Sequence, residues 1–391
     1  MTDTTRGGEC NAGAIPLLMA LELGKRQWLV GFTTGPGAAL RQRRLRAADW
    51  GHLRDEIAAA KHRFGLPADA AVESCYEAGR DGFWIHRYLT ALGVCNRVVD
   101  SASIEVNRRA RRAKTDRLDV RKLTAMLYRW VHGERGVWHV VRVPSEVDED
   151  RRQPHRELRT LKRDRTRVLN RIAGLLATQG IAIDVRADFP QRVAQLRTWQ
   201  GELMAPALQA RLAREWEKVE LCTQQIGAIQ RARRRQLRDA TQRDAAVDMV
   251  RHLVALYGVG EHSAWTLVTE LFAWRGLRNR REVAGLTGLT GTPFRSGTQS
   301  YDQGISRAGN AQIRAIAIEL AWCWVQFQPQ SALARWYAAR WANSGVRGRK
   351  IGIVAVARRL MIDLWRYVEQ GVVPEGARFK PPAALTQSRA T

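Results

Sequence analysis

The order of strand and helix patterns in the first 130 residues constrains the fold more than any other feature of this sequence. Two apolar runs at 17–22 and 27–32 flank a short turn, and alternating basic and apolar residues at 39–47 predict a third strand. Helix patterns at 49–64, 82–92 and 115–130 then alternate with strand patterns at 71–76 and 96–100. This order predicts a mixed sheet with helices packed on it, an α/β domain over residues 1–145.

The following hundred residues have a different pattern. Apolar residues recur in steps of three and four amid Arg, Lys and Glu from Leu158 to Leu175 and again from Leu208 to Ile229. This predicts two long amphipathic helices over 146–245, paired as an antiparallel hairpin or coiled coil that spaces or dimerises domains. Residues 246–372 predict a mainly helical third domain, and the polar, proline-containing residues 373–391 predict a flexible tail.

The charge of the chain indicates its class of partner. The 64 Lys and Arg outnumber the 38 Asp and Glu, and the net charge of +26 favours a polyanion such as nucleic acid over a small metabolite. No run approaches the roughly 20 apolar residues of a membrane span, and residues 15–23 do not form a signal peptide. The five cysteines lack C-x-x-C spacing, so we expect neither disulfides nor structural zinc, and a reducing cytosol.

Four carboxylates stand where a phosphoryl-transfer site could form. Glu22 ends the first strand, Glu77 follows the strand at 71–76, and Asp116 and Asp119 share one face in the first turn of a helix that Thr115 can cap. Acids in a first turn also stabilise the helix dipole, which is the alternative role of this pair. The residues that lead into the pair are strongly basic: Arg108, Arg109, Arg111, Arg112 and Lys114. Arginines that bind phosphates beside carboxylates that hold Mg²⁺ are typical of ribonuclease-H-like and RuvC-like nucleases.

Several segments carry a more specific resemblance. Cys75–Gly79, Val98–Asp100 and Ala113–Asp119 resemble the RuvC-like domain of the bacterial DEDD insertion-sequence transposases, the IS-one-ten family, in its IS-eleven-eleven branch. Ala284–Leu289, Ser296–Gly297 and Gln303–Asn310 resemble the C-terminal transposase domain of that family. The family usually has Asp as its first acid, whereas this chain has Glu22, whose extra methylene moves the carboxylate by about 1.5 Å.

The resemblance implies a DNA transposase and recombinase of the bacterial cytoplasm, associated with the nucleoid. It implies Mg²⁺ held by Glu22, Glu77, Asp116 and Asp119, donor and target DNA, a guide noncoding RNA, and assembly as a homodimer or homotetramer. Further nucleic-acid contacts are expected from Arg295, Arg307 and Asn310. The basic surface is compatible with RNA, although no residue pattern indicates it by itself.

A serine is the second candidate for the chemistry. Ser296, Ser300 and Ser306 lie in a Gly-rich segment that we expect to be a loop, where serines are ordinarily turn formers. A serine that attacks phosphorus conserves the phosphodiester energy in a covalent linkage, but no histidine is adjacent to act as its base. The resemblance implies a nucleophilic serine beside the four acids; Ser296 matches best, Ser300 is second, and Ser306 is expected to cap or to bind phosphate.

Two other functions stay open on the sequence. A RuvC-like structure-selective endonuclease would use water as its nucleophile, so Ser296→Ala would leave its cleavage intact. A catalytically impaired copy would bind nucleic acid in a salt-sensitive manner and form no Mg²⁺-dependent product.

Overall fold

The computed structural model describes residues 15–104, 115–239, 241, 243–297 and 299–381. The chain divides into two compact units, one that ends at Val143 and one that begins at Pro144. Among the described residues, no helix is both long enough and apolar enough to cross a membrane.

A five-stranded mixed sheet organises the first unit. The order of the strands in space is β3-β2-β1-β4-β5, with antiparallel pairing of β1 to β2 and β2 to β3 and parallel pairing of β1 to β4 and β4 to β5. The mixed sheet predicted from the sequence is confirmed. Its strands and helices are β1 (Leu17–Leu23), β2 (Gln27–Thr33), β3 (Arg41–Arg46), α1 (Trp50–Arg63), β4 (Val72–Glu77), α2 (Trp84–Ala91), β5 (Cys95–Val99) and α3 (Asp116–Val131).

Helices cover the two faces of this sheet, as the alternation of side chains requires. Leu17, Met19 and Leu21 belong to one core with residues of α1 and α2. Leu18 and Ala20 point to the opposite face and belong to a second core with Leu123 and Leu127 of α3. The position of α3 on the sheet brings Asp116, in its first turn, near Glu22 of β1.

Two long helices open the second unit, α4 (Glu146–Ala177) and α6 (Pro206–Arg238), with the short α5 (Phe189–Val193) between them. Arg171 of α4 pairs with Glu215 at 2.8 Å, whereas Arg151 pairs at 2.8 Å with Asp244, beyond the end of α6. Because an earlier residue of α4 meets a later residue of the chain, the two helices run antiparallel. A small apolar cluster that includes Ile172 fills the end of the pair near α5.

A helical bundle forms the rest of this unit around one large apolar core. Its helices are α7 (Ala245–Ala255), α8 (Glu261–Leu267), α9 (Ala273–Arg275), α10 (Arg280–Thr287), α11 (Ala311–Phe327), α12 (Ala332–Trp341) and α13 (Val346–Gln370). A π-helical turn, Val268–Phe272, joins α8 to α9.

The segment expected to be a Gly-rich loop is a β-hairpin, so that expectation was wrong. Strands β6 (Gly291–Ser296) and β7 (Gln299–Ile305) pair antiparallel, with Phe294 opposite Tyr301 and Arg295 opposite Ser300. The two aromatic rings lie 4.8 Å apart, a cross-strand contact that stabilises such a pair.

The prediction of a flexible tail over 373–391 was wrong for its first residues, which pack against the helical bundle. The backbone N–H of Arg378 donates to Oε1 of the buried Gln328 at 2.7 Å, and Phe379 forms a β-bridge with Leu256. Lys380 Nζ donates to the carbonyls of Val254 and Val259 at 2.6 and 2.8 Å. Residues up to Lys380 are therefore held against the bundle, mainly through backbone groups, and residues 382–391 lie outside the described part of the chain.

Candidate active site

Two of the predicted acids lie at the same level of neighbouring strands. Glu22 belongs to β1 and Glu77 is the last residue of β4. The strands are parallel and Leu21 pairs with Tyr76, so Glu22 and Glu77 are the next residues along the two neighbouring strands. The carboxyl ends of parallel strands meet at one edge of a sheet, which is where α/β folds place their functional groups.

The same two acids share the face of the sheet that α3 covers. Side chains alternate along a strand, and Ala20 and Cys75, each two residues earlier, pack in the core of α3. The first turn of α3 carries Asp116 and Asp119, and the Thr115 hydroxyl caps it by accepting from the N–H of Leu118 at 3.4 Å. All four predicted carboxylates thus belong to one face of this unit.

One pair of these carboxylates lines a common pocket. Glu22 and Asp116 both line a pocket of about 80 Å³, together with Arg44 of β3 and residues of the β1–β2 turn. Glu77 and Asp119 are not among the lining residues. In the described part of the chain, no three His, Cys, Asp or Glu side chains lie close enough together to hold a metal ion. The fold therefore brings all four acids to one region and two of them to one pocket.

The chemistry of this pair suits Mg²⁺. That ion takes oxygen ligands and is commonly bound through one or two carboxylates, with water and substrate phosphates completing its shell. The neighbouring Cys75 is no competing ligand, because complete burial raises the pKa of its thiol far above the usual range. Its Sγ instead lies 3.9 Å from the carbonyl of Leu123.

The basic segment that leads into α3 was expected to contact nucleic acid. Its members, Arg108, Arg109, Arg111, Arg112 and Lys114, lie outside the described residues.

Two of the serine candidates, Ser296 and Ser300, lie on the β6–β7 hairpin, whereas Ser306 follows the end of β7 and its backbone N–H donates to the carbonyl of Thr290 at 2.8 Å. Ser296 is the last residue of β6, pairs with Gln299 across the turn and is exposed. Gly297 follows with a φ of +56°, a left-handed conformation that glycine adopts without strain. Ser300 and Arg295 are also exposed, so the tip of the hairpin presents two hydroxyls and a guanidinium to solvent.

The Gly-containing segments of the second unit pack against each other through their backbones. A Cβ at Gly288 would lie 1.9 Å from the carbonyl oxygen of Ala308, and one at Gly309 would lie 2.3 Å from that of Leu286. Both glycines have positive φ. The loops are joined by hydrogen bonds from the N–H of Arg307 to the carbonyl of Gly288 at 3.1 Å and from the N–H of Asn310 to that of Leu286 at 3.0 Å.

Asn310 and Arg307 have defined places in this contact. The side-chain oxygen of Asn310 caps α11, since it accepts from the N–H groups of Gln312 and Ile313 at 2.9 and 3.3 Å. Arg307 has a φ of +55°, unusual for a residue with a side chain, and its carbonyl accepts from Arg314 Nη1 at 3.1 Å. The contact made by Arg314 was not predicted, because a single arginine one turn into a helix does not indicate which carbonyl it binds.

Both of these glycine-containing segments lie in a region that matches a known protein family. Residues 250–336, which contain both, match the model of the transposase family IS116/IS110/IS902. The protein named Putative transposase y4rJ, from Sinorhizobium fredii, is 38% identical over 377 residues, which cover 94% of this chain and 95% of that protein. The chain belongs to the IS116/IS110/IS902 transposase family.

A second relative, with lower sequence identity, supports the assignment of the chain to this family. The transposase for insertion sequence element IS1328 of Yersinia enterocolitica is 24% identical over 238 residues, 60% of this chain and 67% of that protein. The resemblance to the IS-one-ten transposases is confirmed at the level of the family, and the chain is a transposase of an insertion sequence.

Proposed function

We propose that this transposase cleaves and rejoins DNA strands with two groups, a Mg²⁺ site formed by Glu22, Glu77, Asp116 and Asp119 and the nucleophilic hydroxyl of Ser296. The observation that carries the proposal is the pocket that Glu22 and Asp116 share at the edge of the sheet. When bound there, Mg²⁺ would neutralise charge on the reacting phosphate. Glu77 and Asp119 stand on the same face and are the acids that substrate binding would bring to the ion.

The serine accounts for rejoining without ATP. Ser296 Oγ forms a bond to phosphorus, the P–O bond to one DNA end breaks, and that end leaves as a hydroxyl that takes up the serine proton. Attack by the hydroxyl of a second DNA end reverses these steps and releases the serine. Arg295 directly precedes Ser296 in the sequence and is exposed near the tip of the same hairpin, where its guanidinium can bind oxygens of a DNA phosphate.

The presence of Glu22 where the family usually has Asp is compatible with this function. The carboxylate of Glu22 reaches the pocket that Asp116 lines, so the longer side chain still faces the other acid. We propose that Glu22 fills the role of the usual aspartate.

A denaturing gel of the protein with labelled DNA, its guide RNA and Mg²⁺ tests this function. We expect a protein-linked DNA band that Ser296→Ala and Asp116→Asn both remove. Ser300→Ala is the matched control, because it changes another exposed hydroxyl on the same hairpin and should leave the band. Loss of the band in Ser300→Ala alone would move the nucleophile to that residue. Cleavage without any linked band, unchanged in Ser296→Ala, would instead establish a water-using nuclease.

The partners of the reaction extend the same proposal. From the family resemblance we infer a guide noncoding RNA that pairs with donor and target DNA, and assembly as a homodimer or homotetramer in which the α4–α6 hairpin contributes contacts. The net charge of +26 supports a polyanionic partner. Light scattering of the protein with and without its RNA measures the assembly, and a monomer in both conditions would refute it.

A further inference from the structure

A large groove lies in the second unit, apart from the hairpin tip. A stripe along α13 forms one part of its lining, the start of α10 and the base of the β6–β7 hairpin form another, and Trp336 of α12 also lines it. The volume of the groove is about 1370 Å³. Small-molecule pockets are usually about 300–1,000 Å³, so a larger ligand fits this groove better.

The walls of the groove are strongly basic. The stripe on α13 carries five cations, all exposed: Arg347, Lys350, Arg358, Arg359 and Arg366. The other part of the lining adds Arg280, Arg281 and Arg307, whereas Asp363 is the one carboxylate among the described lining residues. Within the described part of the chain, none of these eight cations forms an ion pair with a carboxylate. Asp363 interacts electrostatically with Arg366 and Arg359, and the remaining excess of positive charge favours a polyanion.

The interior of the groove is apolar, which narrows the class of polyanion. Val354 and Ile362 line it, and so does Ile351, whose side chain is 56% exposed. The Arg359 guanidinium stacks over the Trp336 ring at 3.8 Å, leaving a flat cationic surface in the groove. Bases of a single strand can enter such a groove and stack, whereas those of a duplex are already paired and stacked. A flat membrane would not reach the concave interior.

The length of the stripe also fits a strand. Arg347 and Arg366 lie 19 residues apart on one helix, about 28 Å at 1.5 Å per residue. Single-strand sites in other folds cover roughly 4–16 nucleotides. A ligand of this length that offers phosphates to the rims and bases to the interior is an oligonucleotide.

We propose that this groove binds a single-stranded stretch of DNA. The inference rests on the proposed function in one respect, because strand exchange guided by pairing exposes an unpaired DNA strand that the protein must hold. DNA is chosen over RNA because the chain is a transposase.

Equilibrium binding of a labelled 12-nucleotide single strand, measured by fluorescence anisotropy without Mg²⁺, tests the proposal. Arg347→Glu should weaken binding at least five-fold and lower the slope of log K against log salt by about 0.7–1.4, the effect of one or two phosphate contacts. Arg349→Glu is the matched control, since Arg349 is equally exposed on the same helix but does not line the groove, and we expect less than a two-fold change.

A second variant separates base contacts from charge. Ile351→Gln should weaken single-strand binding while leaving the salt slope unchanged, because no charge is removed. Equal effects of Arg347→Glu and Arg349→Glu, or tighter binding of a blunt duplex than of the single strand, would overturn the proposal. Equal or tighter binding of RNA of the same sequence would assign the groove to RNA and also overturn it.

The outcome is independent of the proposed chemistry. Ser296→Ala should bind the single strand as the wild type does, whatever its effect on DNA cleavage. Failure of the groove variants to lose binding refutes this inference alone, and failure to detect the protein-linked band refutes the proposed function alone.

Discussion

Substitution of Gly288 by alanine should destabilise the second unit far more than substitution of Gly297, although both residues have similar positive φ values of 65° and 56°. The left-handed conformation costs about 1–2 kcal/mol for a residue with a Cβ, so this part of the penalty is common to both. The two sites differ in their surroundings. A Cβ at Gly297 meets nothing within 4 Å, whereas one at Gly288 lies 1.9 Å from the Ala308 carbonyl oxygen.

The extra penalty at Gly288 follows from what must move. The clashing atom belongs to the backbone, so relief requires the two loops to separate. Separation breaks the hydrogen bonds that Gly288 and Leu286 accept from Arg307 and Asn310, at about 1 kcal/mol each. Gly288→Ala should therefore cost about 3–4 kcal/mol against about 1–2 kcal/mol for Gly297→Ala.

Calorimetry and hydrogen exchange together measure this difference. For a unit of this size about 2 kcal/mol corresponds to a melting temperature lower by roughly 4–8 °C. Peptides covering 284–310 should also exchange faster in Gly288→Ala, because the loops have lost their mutual hydrogen bonds. Equal melting temperatures and exchange rates for the two variants would show that the backbone contact does not hold the segments together.

Two further perturbations have defined outcomes. Burial, with nearby Arg233 next in importance, lowers the pKa of His155 to about 3, and burial likewise lowers that of His262 to about 4. Their neutral forms therefore contribute stability that is complete above about pH 6.5 and is lost as the pH falls towards 4 for His262 and 3 for His155. Denaturant titrations should show that the free energy of unfolding is lower by about 2 kcal/mol at pH 5 because of His155. In a His155→Gln variant, the free energy of unfolding should fall less between neutral pH and pH 5. Gln328→Ala removes a buried side chain that donates to the carbonyls of Tyr257 and Arg378, and it should lower the free energy of unfolding by roughly 2–4 kcal/mol. Limited proteolysis of the variant should then cut within 374–381, and an uncut chain end would contradict the predicted role of Gln328.

The elements of the first unit could be predicted because each has a local cause. Strand β1 is a run of buried apolar residues, and α3 begins at Asp116 because Thr115 supplies a capping hydroxyl. The placement of Glu22 and Glu77 at one edge follows from the parallel pairing of their strands. Which pair of acids would share a pocket could not be predicted, because that depends on how closely α3 packs on the sheet.

The second unit shows what a sequence pattern leaves out. The hairpin at 291–305 is largely exposed, so it has no buried face to produce an alternation of apolar residues. The chain end is held mainly through backbone groups, which every residue carries and no pattern distinguishes. The apolar interior of the groove comes from residues on α13 that read as ordinary helix positions until α10 and the hairpin base stand opposite them.

The α4–α6 hairpin has a mechanical consequence. Its helices contain 32 and 33 residues, and each is about 48 Å long at 1.5 Å per residue. The base is fixed by ion pairs such as Arg156 to Glu270 at 3.0 Å, while the far end closes around Phe189. The far end of α4 lies 21 residues beyond Arg156, about 32 Å at 1.5 Å per residue, so a 5° tilt about that ion pair would displace it by about 3 Å. The hairpin would thus convert a small rearrangement of the ion pairs beside the bundle into a larger displacement of the end near Phe189.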